Sequence, residues 1–394
     1  MSNVLPAVVI GAGPSGIETA VELRRRGIDA EVFDAGPLGH TISWWAPGTR
    51  WFSSNDRISI AGVPLQTVDQ AKASREEYLN YLRSVVDQFA VPVHTFKRLV
   101  SITPAAEPLD DAPSCWRLGF RRTSGEPSAA EQARGGVSRS VDTSARSHTD
   151  FFLDARAVVL AIGGTDFPNR LGVPGEELPH VDGFLREIHR YHGRRVLIVG
   201  GRNSAVEAAI RLHRGGAKVS LCYHREQLPS DGIKYWLRPE IEGLIRSGSI
   251  EAYFGSRVAE ISSRHVTIRS QGEGDSAADT EVEADDVLTL IGYHQDQSLL
   301  GQLGLVSDAP SGAPLYDTET MQTSHRGIYV AGTAVGGTQS SRYQVFLENC
   351  HEHPRKIADH LCRERVASAP GGGPGRGNTR DDGLSKRIAM QPES

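Results

Sequence analysis

The sequence predicts an α/β fold built from two nested Rossmann-like dinucleotide-binding domains, and three observations carry that prediction. A strand, a glycine turn and a helix open the chain. A second set of the same three begins at Arg195, and apolar strand-like segments flank it on both sides. An outer unit, an inserted unit and a completion of the outer one follow from those positions.

In the first unit, Ala7-Val8-Val9-Ile10 reads as an apolar strand and Gly11-Ala12-Gly13-Pro14-Ser15-Gly16 as the turn. A helix follows from Ile17, with Ala20, Val21 and Leu23 available to pack. Gly11 permits the tight turn, Gly13 lets a pyrophosphate approach the backbone, and Gly16 lets helix and strand close up. Asp34 ends the next strand, 30–33, where a carboxylate accepts hydrogen bonds from a ribose diol.

The second unit starts with Val196-Leu197-Ile198-Val199, turns through Gly200-Gly201-Arg202-Asn203-Ser204-Ala205, and continues as a helix from Val206 and a strand over 218–223. Ala205 stands where the fingerprint has its third glycine, a substitution compatible with close helix packing. No carboxylate ends the second strand. Tyr223-His224-Arg225 stands there instead, so His224 or Arg225 is expected to hold a 2′-phosphate, and NADPH is the expected nucleotide.

The flanking segments are 157–164, which contains Gly163, and then 286–292 and 327–333; all three are read as strands of the first sheet. The expected division is 1–178 with 285–366 as the outer domain and 179–284 as the inserted one. Residues 123–149, rich in Ser, Ala, Arg and Gly, are expected to form a mobile insertion, and 367–394 a disordered tail.

This nested order resembles the two-dinucleotide-binding flavoproteins of the thioredoxin-reductase-like group. The resemblance implies FAD on the amino-terminal unit, NADPH on the inserted one, and Gly332-Thr333 beside the flavin. Hydride transfer between these cofactors needs stacking and exclusion of water more than acid or base side chains.

Five motifs narrow the resemblance: Trp51-Phe52-Ser53-Ser54-Asn55-Asp56-Arg57-Ile58-Ser59-Ile60, Gly200-Gly201-Arg202-Asn203-Ser204-Ala205, Ile233-Lys234-Tyr235-Trp236, Ile291-Gly292-Tyr293-His294 and Leu347-Glu348-Asn349. In order and spacing over 4–361, outside 123–149, they look like the YpdA-type family, assigned as bacillithiol-disulfide reductases. The resemblance implies reduction of a low-molecular-weight disulfide, makes Ser53, Ser54 and Asn55 candidates to line the flavin pocket, and implies a homodimer or homotetramer.

One departure matters. The family commonly carries cysteine before the third glycine of the first turn, and this chain has Ser15 there. A hydroxyl forms no mixed disulfide, whereas a thiolate attacks one. Ser15 is therefore expected to contact the pyrophosphate. Transfer without a redox thiol, as in a flavin reductase or monooxygenase serving oxygen, a quinone or a one-electron partner, stands as the alternative. Cys350 is the other candidate thiol, but on a helix starting near Thr338 it lies about 18 Å along the axis and reads as a small buried residue.

Composition excludes other classes. With 394 residues, 39% of them hydrophobic, and a net charge of −5, the chain offers a large core and no broad basic field for nucleic acid or anionic membrane. Four scattered cysteines form no CxxC pair, and the histidine pairs lack ligand spacing, so no metal is expected. Without a signal-peptide pattern before the first strand or an apolar run of spanning length, the expected location is the cytoplasm.

Overall fold

The computed structural model describes residues 4–105, 115–124, 149–270, 279–307, 309–338 and 345–367. The expected insertion at 123–149 lies outside these residues except at its ends, as does the expected tail beyond Ala367. The chain divides into two compact units: 1–43, 48–166 and 295–394 in one, 44–47 and 167–294 in the other.

Unit 1 is built on a sheet in the order β3-β2-β1-β6-β5-β4. Its strands are β1 (Leu5–Ile10), β2 (Ala30–Phe33), β3 (Val93–His94), β4 (Lys97–Pro104), β5 (Trp116–Arg122) and β6 (Phe151–Leu160). β1 runs parallel to β2 and β6, and Ala7, Val8 and Val9 are fully buried, as a run of consecutive apolar residues in a parallel strand requires. Besides β1, the long β6 serves two further partners. Its first half pairs antiparallel with β5 and its last three residues pair parallel with β17, the late strand Ile328–Val330.

Helix α1 (Pro14–Arg25) follows β1 and buries Ile17, Ala20, Val21 and Leu23, as their spacing predicts. Two short helices, α2 (His40–Ser43) and α3 (Asn55–Ile58), precede α4 (Arg75–Gln88). Ser74 caps α4 through the Glu77 amide while the Glu77 carboxylate reaches back to Ser74, so two otherwise orphaned donors are satisfied. Tyr78, Leu82 and Val85 bury the inner face of α4, each contributing on the order of 1.5–3 kcal/mol.

Unit 2 has a five-stranded parallel sheet, β11-β10-β9-β15-β8. A short pair, β7 (Phe167–Pro168) and β16 (Tyr293–His294), joins its two chain ends. The sheet strands are β8 (Val181–Asp182), β9 (Arg195–Val199), β10 (Lys218–Cys222), β11 (Glu251–Tyr253) and β15 (Asp286–Thr289). β9 shows the period-2 logic directly. Val196 and Ile198 face α5 (Asn203–Arg214) and α6 (Arg238–Arg246), while Leu197 and Val199 face the other way. There they meet a three-stranded antiparallel sheet, β12 (Ser256–Ile261), β13 (His265–Ser270) and β14 (Asp279–Glu283), through Val258, Val266, Ile268 and Val282.

The segment at 286–292 corrects the sequence reading. It does not return to the first sheet: β15 pairs parallel with β9 and β8, because its four buried residues complete the inner sheet between those strands. The unit holding the second glycine turn therefore runs over 167–294, wider than 179–284. Unit 1 continues through α7 (Ser298–Gln302) and β17 to α8 (Glu352–Ala367). No described helix is long and apolar enough to cross a membrane.

Candidate functional site

At the carboxyl ends of β1, β2, β6 and β17 the backbone gathers around the first glycine turn. Gly11 N–H donates to Phe33 O, Ala161 N–H to Ile10 O, and Ala331 N–H to Leu160 O. The three glycines have different surroundings. A methyl on Gly11, whose φ is +109°, would lie 2.3 Å from Ala161 O, and one on Gly16 would lie 1.9 Å from Gly11 O. A methyl on Gly13 meets nothing within 4 Å. Two glycines thus close the turn and the third faces open space. Pro14 at the start of α1 has no N–H to lose, and Gly13 caps the helix without a side-chain acceptor, which leaves the first-turn amides for an anion.

Asp34 stands at the end of β2 against this turn. Ala12 N–H donates to its Oδ2 at 2.6 Å and Gly36 N–H to its Oδ1 at 2.7 Å, fixing the carboxylate beside the open position of Gly13. Burial pushes its pKa up to about 6, against the opposing pull of both amides and of Arg98. Asp166, at the end of the 48–166 segment of unit 1, accepts Asp296 N–H at 2.8 Å. Burial, reinforced by the Asp296 and Asp34 charges, pushes it up to about 7.

The remaining unit-1 candidates are placed as follows. Gly163 has a φ of +78° with open space where a side chain would be, and its carbonyl accepts the Gln295 amide at 2.6 Å. Gly332, with a φ of +68°, starts a 3-10 turn with Thr333 and donates its N–H to His353 Nδ1. Ser15 packs against that glycine. Ser53 is buried and donates to Glu348, and Ser54 is exposed at the start of α3. Asn55 spends its whole amide on the 67–73 loop: Oδ1 accepts Ala73 N–H, and Nδ2 donates to Thr67 and Ala71.

Cys350 does not lie on a helix starting near Thr338. It sits just before α8, after a 3-10 turn at Leu347–Asn349. Its thiol donates to Phe346 O, and burial raises its pKa to about 12. Cys222 is pushed to about 12 by burial as well. Neither is a thiolate at neutral pH.

Unit 2 repeats the turn geometry. Gly200 has a φ of +138°, and a methyl there would lie 2.4 Å from Leu290 O; one on Gly201 would lie 2.5 Å from the Tyr223 ring. Ala205 is fully buried, with Arg202 and Ser204 exposed beside it. Asn203 is clasped by the loop carrying Lys234: its N–H donates to Gly232 O and its Oδ1 accepts Lys234 N–H at 2.8 Å.

Past the end of β10, His224 and Arg225 are exposed. Gly255 N–H donates to Arg225 O and Ser256 N–H to Tyr223 O, which sets the start of β12 alongside and brings Arg257 up to His224. Partial burial and then the Arg257 and Arg225 charges lower the His224 pKa. Arg257 escaped the sequence reading because it is 32 residues beyond Arg225 and is brought near only by the backbone hydrogen bonds of residues 255 and 256. The Glu226 carboxylate lies against Gly255.

Comparison with known proteins agrees with this geometry. The model of the pyridine nucleotide-disulphide oxidoreductase family matches residues 8–109 and 139–332. The chain is 30% identical over 357 residues to bacilliredoxin reductase Bdr of Bacillus subtilis, covering 91% of this chain and 97% of that one. The solved bacillithiol disulfide reductase Bdr (YpdA) of Bacillus cereus superposes with a TM-score of 0.77 at 29% identity, over 92% of this chain and all of that one. A ferredoxin–NADP reductase of Cupriavidus pinatubonensis is 27% identical over 88% of this chain and 84% of its own. These relatives imply a flavin and a pyridine nucleotide, and the two glycine turns have the shape to receive them. On the family match and the two turns together, the chain is an oxidoreductase that belongs to the pyridine nucleotide-disulphide oxidoreductase family.

Proposed function

We propose that the chain is an FAD-dependent NADPH oxidoreductase that reduces a low-molecular-weight disulfide such as bacillithiol disulfide. The observation that carries this reading is the pair of turns on separate sheets, each closed by glycines that tolerate no side chain. The overall reaction balances as NADPH plus a proton plus RSSR giving NADP⁺ and two RSH.

FAD would lie on the first turn, with its pyrophosphate against Gly13 and the first amides of α1, its ribose at Asp34, and its flavin end toward Gly163, Gly332 and Thr333. The bound cofactors supply hydride acceptance and donation. The chain's own residues hold and orient. NADPH would lie on Gly200, Gly201, Arg202, Asn203, Ser204 and Ala205, with its 2′-phosphate between His224, Arg225 and Arg257. Three cationic or protonatable groups favour a phosphate over a ribose hydroxyl.

A second reading has its own support. Ser15 supplies no thiolate, and Cys350 and Cys222 are held as thiols. Electron transfer to a quinone, to oxygen or to a one-electron partner needs no protein thiol, and a relative named ferredoxin–NADP reductase fits that chemistry. An anaerobic screen of disulfides, quinones and ferredoxin against the NADPH-reduced enzyme separates the two. Turnover with a disulfide, yielding two thiols per NADPH, supports the first; turnover with the other acceptors alone supports the second. Assembly as a homodimer or homotetramer in the cytoplasm fits both.

A further inference from the structure

Behind the first turn, unit 1 contains a buried polar cluster that neither reading uses. His351 has both ring nitrogens engaged: Nδ1 lies 2.9 Å from Glu18 Oε2, and Nε2 lies 2.9 Å from the carbonyl oxygen of Arg57. A neutral imidazole has one N–H, so a ring facing a carboxylate on one side and a backbone carbonyl on the other satisfies both only as the imidazolium. His353, two residues on, shows the converse. Its Nδ1 accepts the Gly332 N–H, and burial lowers its pKa to about 4.

The cluster binds α1 to the 51–61 segment. Glu18 stands one turn beyond Ser15 and uses its other oxygen, Oε1, to accept Ala61 N–H at 2.9 Å. Ala61 is held at a φ of +54°, a left-handed conformation costly for a residue with a side chain, and Arg25 grips its carbonyl from the other side at 2.7 Å. Ser53 donates to Glu348, Tyr78 to Ile58 O and Tyr81 to Val63 O. These contacts tie the 51–63 segment to α1, α4 and the 347–351 turn.

We propose that His351 is a positioning residue, held as an imidazolium that clamps the 51–61 segment onto α1 behind the first glycine turn, so that retention of the dinucleotide there depends on pH. This rests on the reading of that turn as the FAD site. The groups shown to act on the His351 ring are Glu18 on α1, the Arg57 carbonyl on α3, and Glu348 and His353 on its own segment. The two carboxylates favour its charged form.

The linkage has a definite sign. Burial opposes the charge on His351, but the Glu18 hydrogen bond and charge, the Arg57 carbonyl and Glu348 prevail, and its pKa is raised. A raised folded-state value means that the clamp is complete below the ordinary imidazole pKa near 6.5 and is lost as pH rises through the folded value.

The test uses holoenzyme labelled with ¹⁵N-histidine, together with release of FAD measured by its fluorescence across pH. The His351 ring is expected to show the imidazolium pattern at neutral pH, and FAD release is expected to increase as that pattern is lost. Glu18→Gln should move both midpoints to lower pH together, which a merely structural contact would not do. His351→Gln should release FAD about tenfold more readily at pH 6 and remove the increase in release that accompanies loss of the imidazolium pattern. A neutral His351 ring at pH 6, or an unchanged midpoint in Glu18→Gln, overturns the proposal. A wild-type chain that binds no FAD at any pH instead overturns the cofactor reading. Thermal melting of that chain against pH, with and without Glu18→Gln, would then decide the clamp by the same shift in midpoint.

Discussion

Ser15 and Gly332 are packed so tightly that a methyl group on Gly332 would lie 2.5 Å from the Ser15 hydroxyl oxygen and 2.6 Å from its Cβ. The residue at the family's cysteine position is thus lodged against the turn that follows β17, at a φ that favours glycine. Gly332→Ala is expected to destabilise the chain by about 2 kcal/mol, combining left-handed strain with overpacking. Denaturant unfolding checks this. Ser15→Gly with Gly332→Ala should recover part of the loss, because it removes both contacting atoms; strict additivity would show that the contact is not the cause.

The three glycines of the first turn predict two different phenotypes. Gly16→Ala puts its methyl 1.9 Å from Gly11 O and is expected to disrupt the turn, lowering stability and cofactor content together. Gly13→Ala adds a methyl in open space. Its melting temperature without cofactor should match wild type, while bound FAD falls at least about tenfold, a loss of about 1.4 kcal/mol. Differential scanning calorimetry and cofactor extraction read the two effects separately.

Arg257 sets a specificity prediction. Arg257→Ala should raise the Kd for NADPH by about 10- to 100-fold and leave that for NADH nearly unchanged, since a charge-assisted bond to phosphate is worth roughly 1.5–3 kcal/mol. The salt dependence of NADPH binding should weaken in the same variant. Isothermal titration with both nucleotides decides it; equal losses for the two would remove the 2′-phosphate role.

Asp166 predicts how stability varies with pH. Its folded-state pKa, about 7, exceeds its ordinary value of 3.8 because burial penalises the charge. Between those values the folded state binds the extra proton, so stability falls as pH rises from about 4 to 7, by at most about 1.4 kcal/mol per unit. Asp166→Asn keeps an oxygen for the Asp296 amide and removes the titration. Between about pH 6 and 7, above the Asp34 value, melting temperatures should decline in wild type and decline less steeply in the variant.

Both glycine turns were legible because their requirements are local: strand, tight turn and helix follow within some fifteen residues, and the steric role of each glycine comes from its neighbours. Helix α1 was legible for the same reason, through the spacing of Ile17, Ala20, Val21 and Leu23. Features made by contacts between distant segments were not. Arg257 reaches His224 only because residues 255 and 256 hydrogen-bond to 223 and 225, and β15 joins the inner sheet because the register between β8 and β9 accepts it. Polar side chains were hardest to assign. Asn55 is a good ligand by residue type, yet the loop at 67–73 consumes its amide, and no local pattern announces that partner.

The reading with most support is that electrons pass from NADPH through the flavin to a low-molecular-weight disulfide, with neither Cys222 nor Cys350 acting as a thiolate. Anaerobic stopped-flow spectroscopy on enzyme with its accessible cysteines alkylated tests it most directly. NADPH should bleach the flavin absorbance faster than NADH does, and bacillithiol disulfide should then restore it with two thiols released per NADPH, at the rate of the unmodified enzyme. Flavin that NADPH leaves oxidised, or that is bleached but reoxidised by no disulfide, would contradict the account.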